Sequence, residues 1–261
     1  SLRSEFDTVA KTELFNSRLG ETFVADGAKI TDDIIKGNQR DFLNMSEDSE
    51  KIGTYKLITM GIDVGQHYHN LIICGWKLIP GRGRNILEAS EGRVLLFKKV
   101  KDFDEIEALM RRWKPRMTVV DAQPDLKNAS ALAKKFSERC YACYYSTNKS
   151  TKAITVRASK DEEGEADGNS VSVNRSFWLG QTFDFITKGL MTFPKDLDLE
   201  FKEHLKSTVK VYKLDDKQNA YCDFLKKDST PDHYLHALNY AVIALGKSAG
   251  GGQTQYVEGA D

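Results

Sequence analysis

One stretch, Tyr55-Lys56-Leu57-Ile58-Thr59-Met60-Gly61-Ile62-Asp63-Val64-Gly65, constrains the fold more than any other. Side chains alternate between the two faces of an extended chain. Leu57, Thr59, Gly61 and Asp63 therefore share one face, and Ile58, Met60, Ile62 and Val64 share the other. Both faces can be buried, which is the pattern of a central strand covered on both sides. A carboxylate at the end of such a strand is costly unless it is paired or binds a cation. Two readings of Asp63 stand side by side: a cap for the turn that follows, and a metal ligand at the strand's end.

The next segments supply the neighbours. Residues 68–78 read as a second strand through Leu71-Ile72-Ile73-Cys74-Gly75-Trp76, and Arg93-Val94-Leu95-Leu96-Phe97-Lys98 as a third. Short connections make these three strands an antiparallel meander. Helical spacing then appears at Phe103, Ile106, Met110 and Trp113, ending before Pro115. Arg116-Met117-Thr118-Val119-Val120-Asp121 is a fourth strand, and it also ends in an acid. Leu126, Ala129, Ala133 and Phe136 mark a second amphipathic helix, and Tyr141 to Tyr145 a fifth strand. Helical crossovers between the last strands imply parallel pairing. The expected fold is α/β: a five-stranded mixed sheet, three strands antiparallel and two parallel, flanked by helices, in the order of a ribonuclease H-like sheet.

Downstream, Ile154-Thr155-Val156 and Val171-Ser172-Val173 suggest a hairpin around an acidic tip at residues 161–168. A helix is expected from Arg175 to Leu190 and a short one from Leu199 to Leu205. An added β-hairpin is read from residues 208–212 and 220–224. Asp232 opens the last helix, whose apolar stripe is Leu235, Leu238, Val242 and Leu245. Asp232 is in phase with that stripe and points towards the sheet. Pro231-Asp232 is equally a helix-start signal, with Asp232 as N-cap.

In this strand order the first and fourth strands are neighbours, so Asp63 and Asp121 come to one side and Asp232 joins them. Three such carboxylates repel one another unless cations hold them. Hard oxygen ligands suit Mg²⁺ or Mn²⁺. Two ions about 3.5–4 Å apart would activate a water and stabilise the leaving oxygen of a phosphodiester. Asp63 would bridge the ions, with Asp121 on one and Asp232 on the other. His67, His69, His233 and His236 lie close in sequence to these acids. They serve either as hydrogen-bonding groups at loop and helix ends or as contacts to a metal-bound water or a phosphate.

Composition limits the remaining options. Lys and Arg number 38 and so do Asp and Glu, so any surface for nucleic acid must be local. Lys149, Lys152, Arg157, Lys160 and Arg175, flanking the acidic tip, are candidates, as are Arg82 and Arg84. The four cysteines form no paired framework, and Cys140-Tyr-Ala-Cys143 sits in an apolar strand-like run. They read as reduced thiols of a cytosolic compartment. No GxxxxGK[ST] phosphate loop is present, no apolar run reaches membrane-spanning length and no signal peptide opens the chain.

Met60-Gly61-Ile62-Asp63-Val64-Gly65, Val119-Val120-Asp121 and Asp232-His233-Tyr234-Leu235-His236-Ala237-Leu238-Asn239-Tyr240-Ala241 together resemble the nuclease domain of the large terminase subunit of tailed bacteriophages. Phe15-Asn16-Ser17-Arg18-Leu19-Gly20 is similar to the stretch joining that family's ATPase domain to its nuclease. Val173-Asn174-Arg175 and Leu190-Met191-Thr192-Phe193-Pro194 also resemble the family. The resemblance implies a ribonuclease H-like nuclease domain over residues 51–247. It implies a lead-in or linker from a missing ATPase domain at 1–50. Residues 248–261, with Gly250-Gly251-Gly252, read from their composition as a disordered tail. The resemblance further implies a divalent-metal endonuclease that cuts concatemeric viral DNA at the start and end of packaging, in the host cell cytoplasm. The implied partners are double-stranded DNA, the ATPase domain, the small terminase subunit and the portal protein, with no membrane. Two alternatives stay open: a junction-resolving or recombination nuclease of the same fold, and a non-catalytic docking module of the packaging motor. A sugar-kinase or actin-like ATPase would need a duplicated domain, for which the chain is too short.

Overall fold

Leu57–Asp63 forms a strand buried from Ile58 to Asp63. The computed structural model describes residues 27–45, 55–146, 153–157, 169–214, 220–227 and 230–249. In chain order, α1 (Asp32–Asn38) and β1 (Gln39–Arg40) precede the meander of β2 (Leu57–Asp63), β3 (His69–Leu78) and β4 (Ser90–Val100). Next come α2 (Phe103–Trp113), β5 (Met117–Asp121), α3 (Leu126–Lys135) and β6 (Cys140–Ser146). β7 (Ile154–Arg157), β8 (Ser170–Asn174), α4 (Arg175–Thr187) and β9 (Met191–Pro194) follow. The described chain closes with α5 (Leu199–Lys206), β10 (Thr208–Leu214), β11 (Ala220–Lys226) and α6 (His233–Ser248).

The main sheet has nine strands in the order β1-β9-β4-β3-β2-β5-β6-β8-β7. Its centre, β4-β3-β2-β5-β6, is the expected five-stranded set. β2 runs antiparallel to β3 and β3 to β4, while β2 pairs parallel with β5 and β5 with β6. The five-strand count is extended at both edges. On one side β8 joins β6 in parallel and β7 pairs antiparallel with β8, so the first expected hairpin is built into the sheet. On the other side β9 pairs with β4 and β1 with β9. These edge strands are two to four residues long, too short for their periodicity to be read. β10 and β11 form the separate hairpin.

Two apolar cores cover the two faces, as the alternation in β2 requires. Ile58, Met60, Ile62 and Val64 face α2 and α3. A register shift opposite Ile73 and Cys74 lets Leu95 and Leu96 both pack on that side. On the other face lie α4, α5 and α6. Helix α6 is buried on all sides from Tyr234 to Leu245, as befits a helix between a sheet and other helices. Gly61 permits its approach, since a β-carbon there would stand 2.2 Å from the Ala241 nitrogen. The Thr59 hydroxyl accepts from Trp76 Nε1 at 2.7 Å and donates to the Ala241 carbonyl at 2.9 Å, which fixes the helix along the strand.

Part of the stretch read as a lead-in belongs to this fold. Asn38 is buried and its Nδ2 donates to the Ile186 carbonyl at 2.6 Å. The Phe15–Gly20 segment, the acidic tip at 161–168 and residues 250–261 lie outside the described residues. Cys140 and Cys143 point into opposite cores, as residues three apart on a strand must.

Candidate active site

β2 and β5 run parallel with Ile62 beside Val120. The next residue on each strand is an acid, so Asp63 and Asp121 fall side by side on the α6 face. Asp63 is only 6% exposed. Burial, with the Asp63 charge added, raises the Asp121 carboxyl to about 6, although the Gln123 backbone N–H donates to it at 3.1 Å and opposes the shift. Two acids in one partly dry place resist sharing negative charge.

Asp232 stands at the N-cap position of α6, but its side chain makes no capping hydrogen bond. His204, from α5, accepts the Tyr234 N–H at 3.3 Å and satisfies an amide of the first turn. The Asp232 carboxylate is thereby left for other partners. Lys226, at the end of β11, lies 3.0 Å from one oxygen, and His236 Nε2 lies 3.2 Å from the other. Burial pushes the Asp232 carboxyl up, but His236 and Lys226 outweigh it and hold the group well below the usual carboxylate range. His233 Nδ1 lies 2.8 Å from Asp63 Oδ2. That hydrogen bond, against the opposing effect of burial, raises the His233 imidazole above its ordinary value.

His236 is held by a chain of hydrogen bonds. Thr182 Oγ1 donates to Asn239 Oδ1 at 2.8 Å, and Asn239 Nδ2 donates to the Tyr145 oxygen at 2.8 Å. The Tyr145 proton is then free for His236 Nδ1, 2.9 Å away. The His236 proton accordingly sits on Nε2, facing Asp232.

Of the sequence candidates, Asp63, Asp121 and Asp232 gather at one end of the sheet, with His233 and His236 beside them. His67 does not join this group. It lines a cavity with Phe103 and Asp125, which belong to the α2 and α3 side, because the β2–β3 turn carries it away. Arg175 opens α4 and donates to the Phe224 carbonyl at 3.4 Å, tying the helix to β11. Lys149, Lys152 and Lys160 and the side chain of Arg157 lie outside the described residues.

Three residues escaped the sequence reading. Lys226 and Tyr145 reach the site only through tertiary structure. Asn70 pairs with Asp63 across β2 and β3, shares its face, and is 3% exposed with Oδ1 lacking a hydrogen-bond partner. A period-two count from Asp63 would not reach it, because a turn intervenes.

The donor set suits a hard divalent ion: three carboxylates and an unpartnered amide oxygen. As the side chains stand, Lys226 and His233 lie against the carboxylates instead, with His236 Nε2 beside Asp232. Among the described residues, no three His, Cys, Asp or Glu side chains are grouped closely enough to hold one ion.

The central strand order, with β2 flanked by antiparallel β3 and parallel β5, places the chain in the ribonuclease H-like class of folds. The chain is similar to the crystal structure of the large terminase nuclease from thermophilic phage G20c, at 12% identity and a TM-score of 0.43, over 80% of this chain and 97% of that one. It is also similar to that nuclease with bound magnesium, at 11% identity and a TM-score of 0.44, over 80% and 96% of the two chains. The cobalt-bound form gives 12% identity and a TM-score of 0.43 over the same shares. No family model and no curated protein matches the chain. Among the described residues, no helix is long and apolar enough to cross a membrane.

Proposed function

We propose that this chain is a divalent-metal-dependent DNA endonuclease that cuts concatemeric viral DNA at the initiation and termination of genome packaging. The observation that carries the reading is the adjacency of Asp63 and Asp121 on parallel strands, with Asp232 presented at the start of the helix that crosses them. The sequence resemblance of the segments around these acids supports the packaging role.

In this reading Asp63, Asp121 and Asp232 are the catalytic carboxylates and hold two Mg²⁺ or Mn²⁺ ions. Bound there, the ions would supply an activated water and stabilise the leaving oxygen of a phosphodiester. The chain's own groups do the rest. The Tyr145–His236 chain orients Asp232, and Lys226 and His233 neutralise carboxylates until divalent ions replace them. Lys149, Lys152, Arg157, Lys160 and Arg175 would contact the phosphates of double-stranded DNA. The ATPase domain, small terminase subunit and portal would be the partners, in the host cytoplasm.

Calorimetric titration with Mn²⁺ tests the site without relying on turnover. Saturable binding that Asp63→Asn weakens at least tenfold is expected. Equal binding by a folded Asp63→Asn variant would overturn the assignment.

A further inference from the structure

A polar cavity of about 560 Å³ lies on the face away from α6, among the loops that follow β2, β4 and β5. Its charge is unbalanced. Asp102, Asp104 and Asp125 line it, against the single ammonium of Lys101. None of the three carboxylates forms an ion pair among the described residues. Asp102 and Asp125 cap α2 and α3, each accepting a backbone N–H through Oδ1, at 3.0 and 3.2 Å. Asp102 Oδ2 has no partner among the described residues.

His69 supplies an independent sign of a missing hydrogen-bond partner. It lines the cavity, is 7% exposed, and its Nδ1 is buried without a hydrogen-bond partner. Its ring lies 4.9 Å from that of Phe103, which also lines the cavity. Burial lowers the imidazole below its ordinary value, while Asp125, Asp102 and Asp63 oppose this. A neutral ring keeps one nitrogen lone pair, which asks for a donor. The surplus of carboxylates repels phosphate. A planar cation with several N–H donors meets all of these demands: it pairs with carboxylates in a fork and stacks on an aromatic ring.

We infer that this cavity binds a guanidinium group, the head of an arginine side chain, between Asp102, Asp125 and the His69–Phe103 ring pair. The inference does not depend on the nuclease reading, because the cavity excludes Asp121 and Asp232.

The test is titration of the whole chain with arginine amide in EDTA, followed by calorimetry and by the NMR signals of the His69 ring. Citrulline amide, of nearly the same shape and without charge, is the control. The variant is Asp102→Asn/Asp125→Asn, since asparagine still caps a helix; its melting curve checks folding. Saturable arginine amide binding that moves the His69 signals, is absent for citrulline amide and weakens at least tenfold in the variant is expected. No saturable binding, equal binding of citrulline amide, or undiminished binding by the folded variant would each overturn it. So would Mg²⁺, added without EDTA, moving the His69 signals where arginine amide does not, which would mark a site for inorganic cations.

Discussion

Gly61 lies directly beneath Ala237: a β-carbon on the glycine would stand 2.0 Å from the alanine's carbonyl oxygen. The obstacle is helix backbone, so no rotamer change can relieve it. Gly61→Ala should therefore push α6 away from β2 and cost about 3 kcal/mol, at the upper end of the usual range for overpacking. Urea denaturation of the variant measures this. A loss below about 1 kcal/mol would mean that the helix does not rest on the strand as described.

Asp121 makes a pH-dependent prediction. Its carboxyl is raised to about 6 in the folded chain, by burial first and the Asp63 charge next, against about 3.9 when unfolded. The folded state therefore holds its proton more tightly. This group's favourable contribution is complete below pH 4 and lost as pH rises through 6. Asp121→Asn should stabilise the metal-free protein at pH 8 by about 1–3 kcal/mol and flatten its stability between pH 4 and 7. Thermal melts in EDTA across that range check both signs.

Tyr145→Phe removes one hydroxyl and leaves two groups wanting. Asn239 Nδ2 loses its acceptor and His236 Nδ1 loses its donor. An unsatisfied buried polar group costs about 1–3 kcal/mol. The variant should lose that much in chemical denaturation while its circular dichroism spectrum stays unchanged.

Lys226 is a tethered cation on Asp232. If divalent ions take its place, Lys226→Met should tighten Mn²⁺ binding several-fold in calorimetry. Weaker binding would mean that Lys226 helps to build the site instead of competing for it.

The legible parts of this chain were those set by local pattern. β2 and β5 declare themselves because alternation puts both faces in apolar cores, and their terminal acids stand out against that background. α2 and α3 declare themselves through the helical spacing of Phe103, Ile106, Met110 and Trp113 and of Leu126, Ala129, Ala133 and Phe136, all set within a few turns. What sequence could not supply was long-range pairing. β1 exists as a strand only because Gln39 meets Phe193. Lys226 reaches Asp232 because the hairpin folds back, and Asn70 faces Asp63 because a tight turn sets the register of β3. Asp232 shows the limit most clearly. The phase of the helix aimed it inward, but its freedom from capping depends on His204, a residue of another helix.

The most direct measurement is cleavage of supercoiled plasmid by this chain with Mg²⁺, with Mn²⁺ and with EDTA, beside Asp63→Asn and Asp232→Asn. Nicking and linearisation should require the divalent ion, and both substitutions should abolish them while the proteins remain folded. Cleavage that persists in EDTA or in either variant, or a folded wild type that neither binds Mn²⁺ nor cuts, would contradict the proposed function.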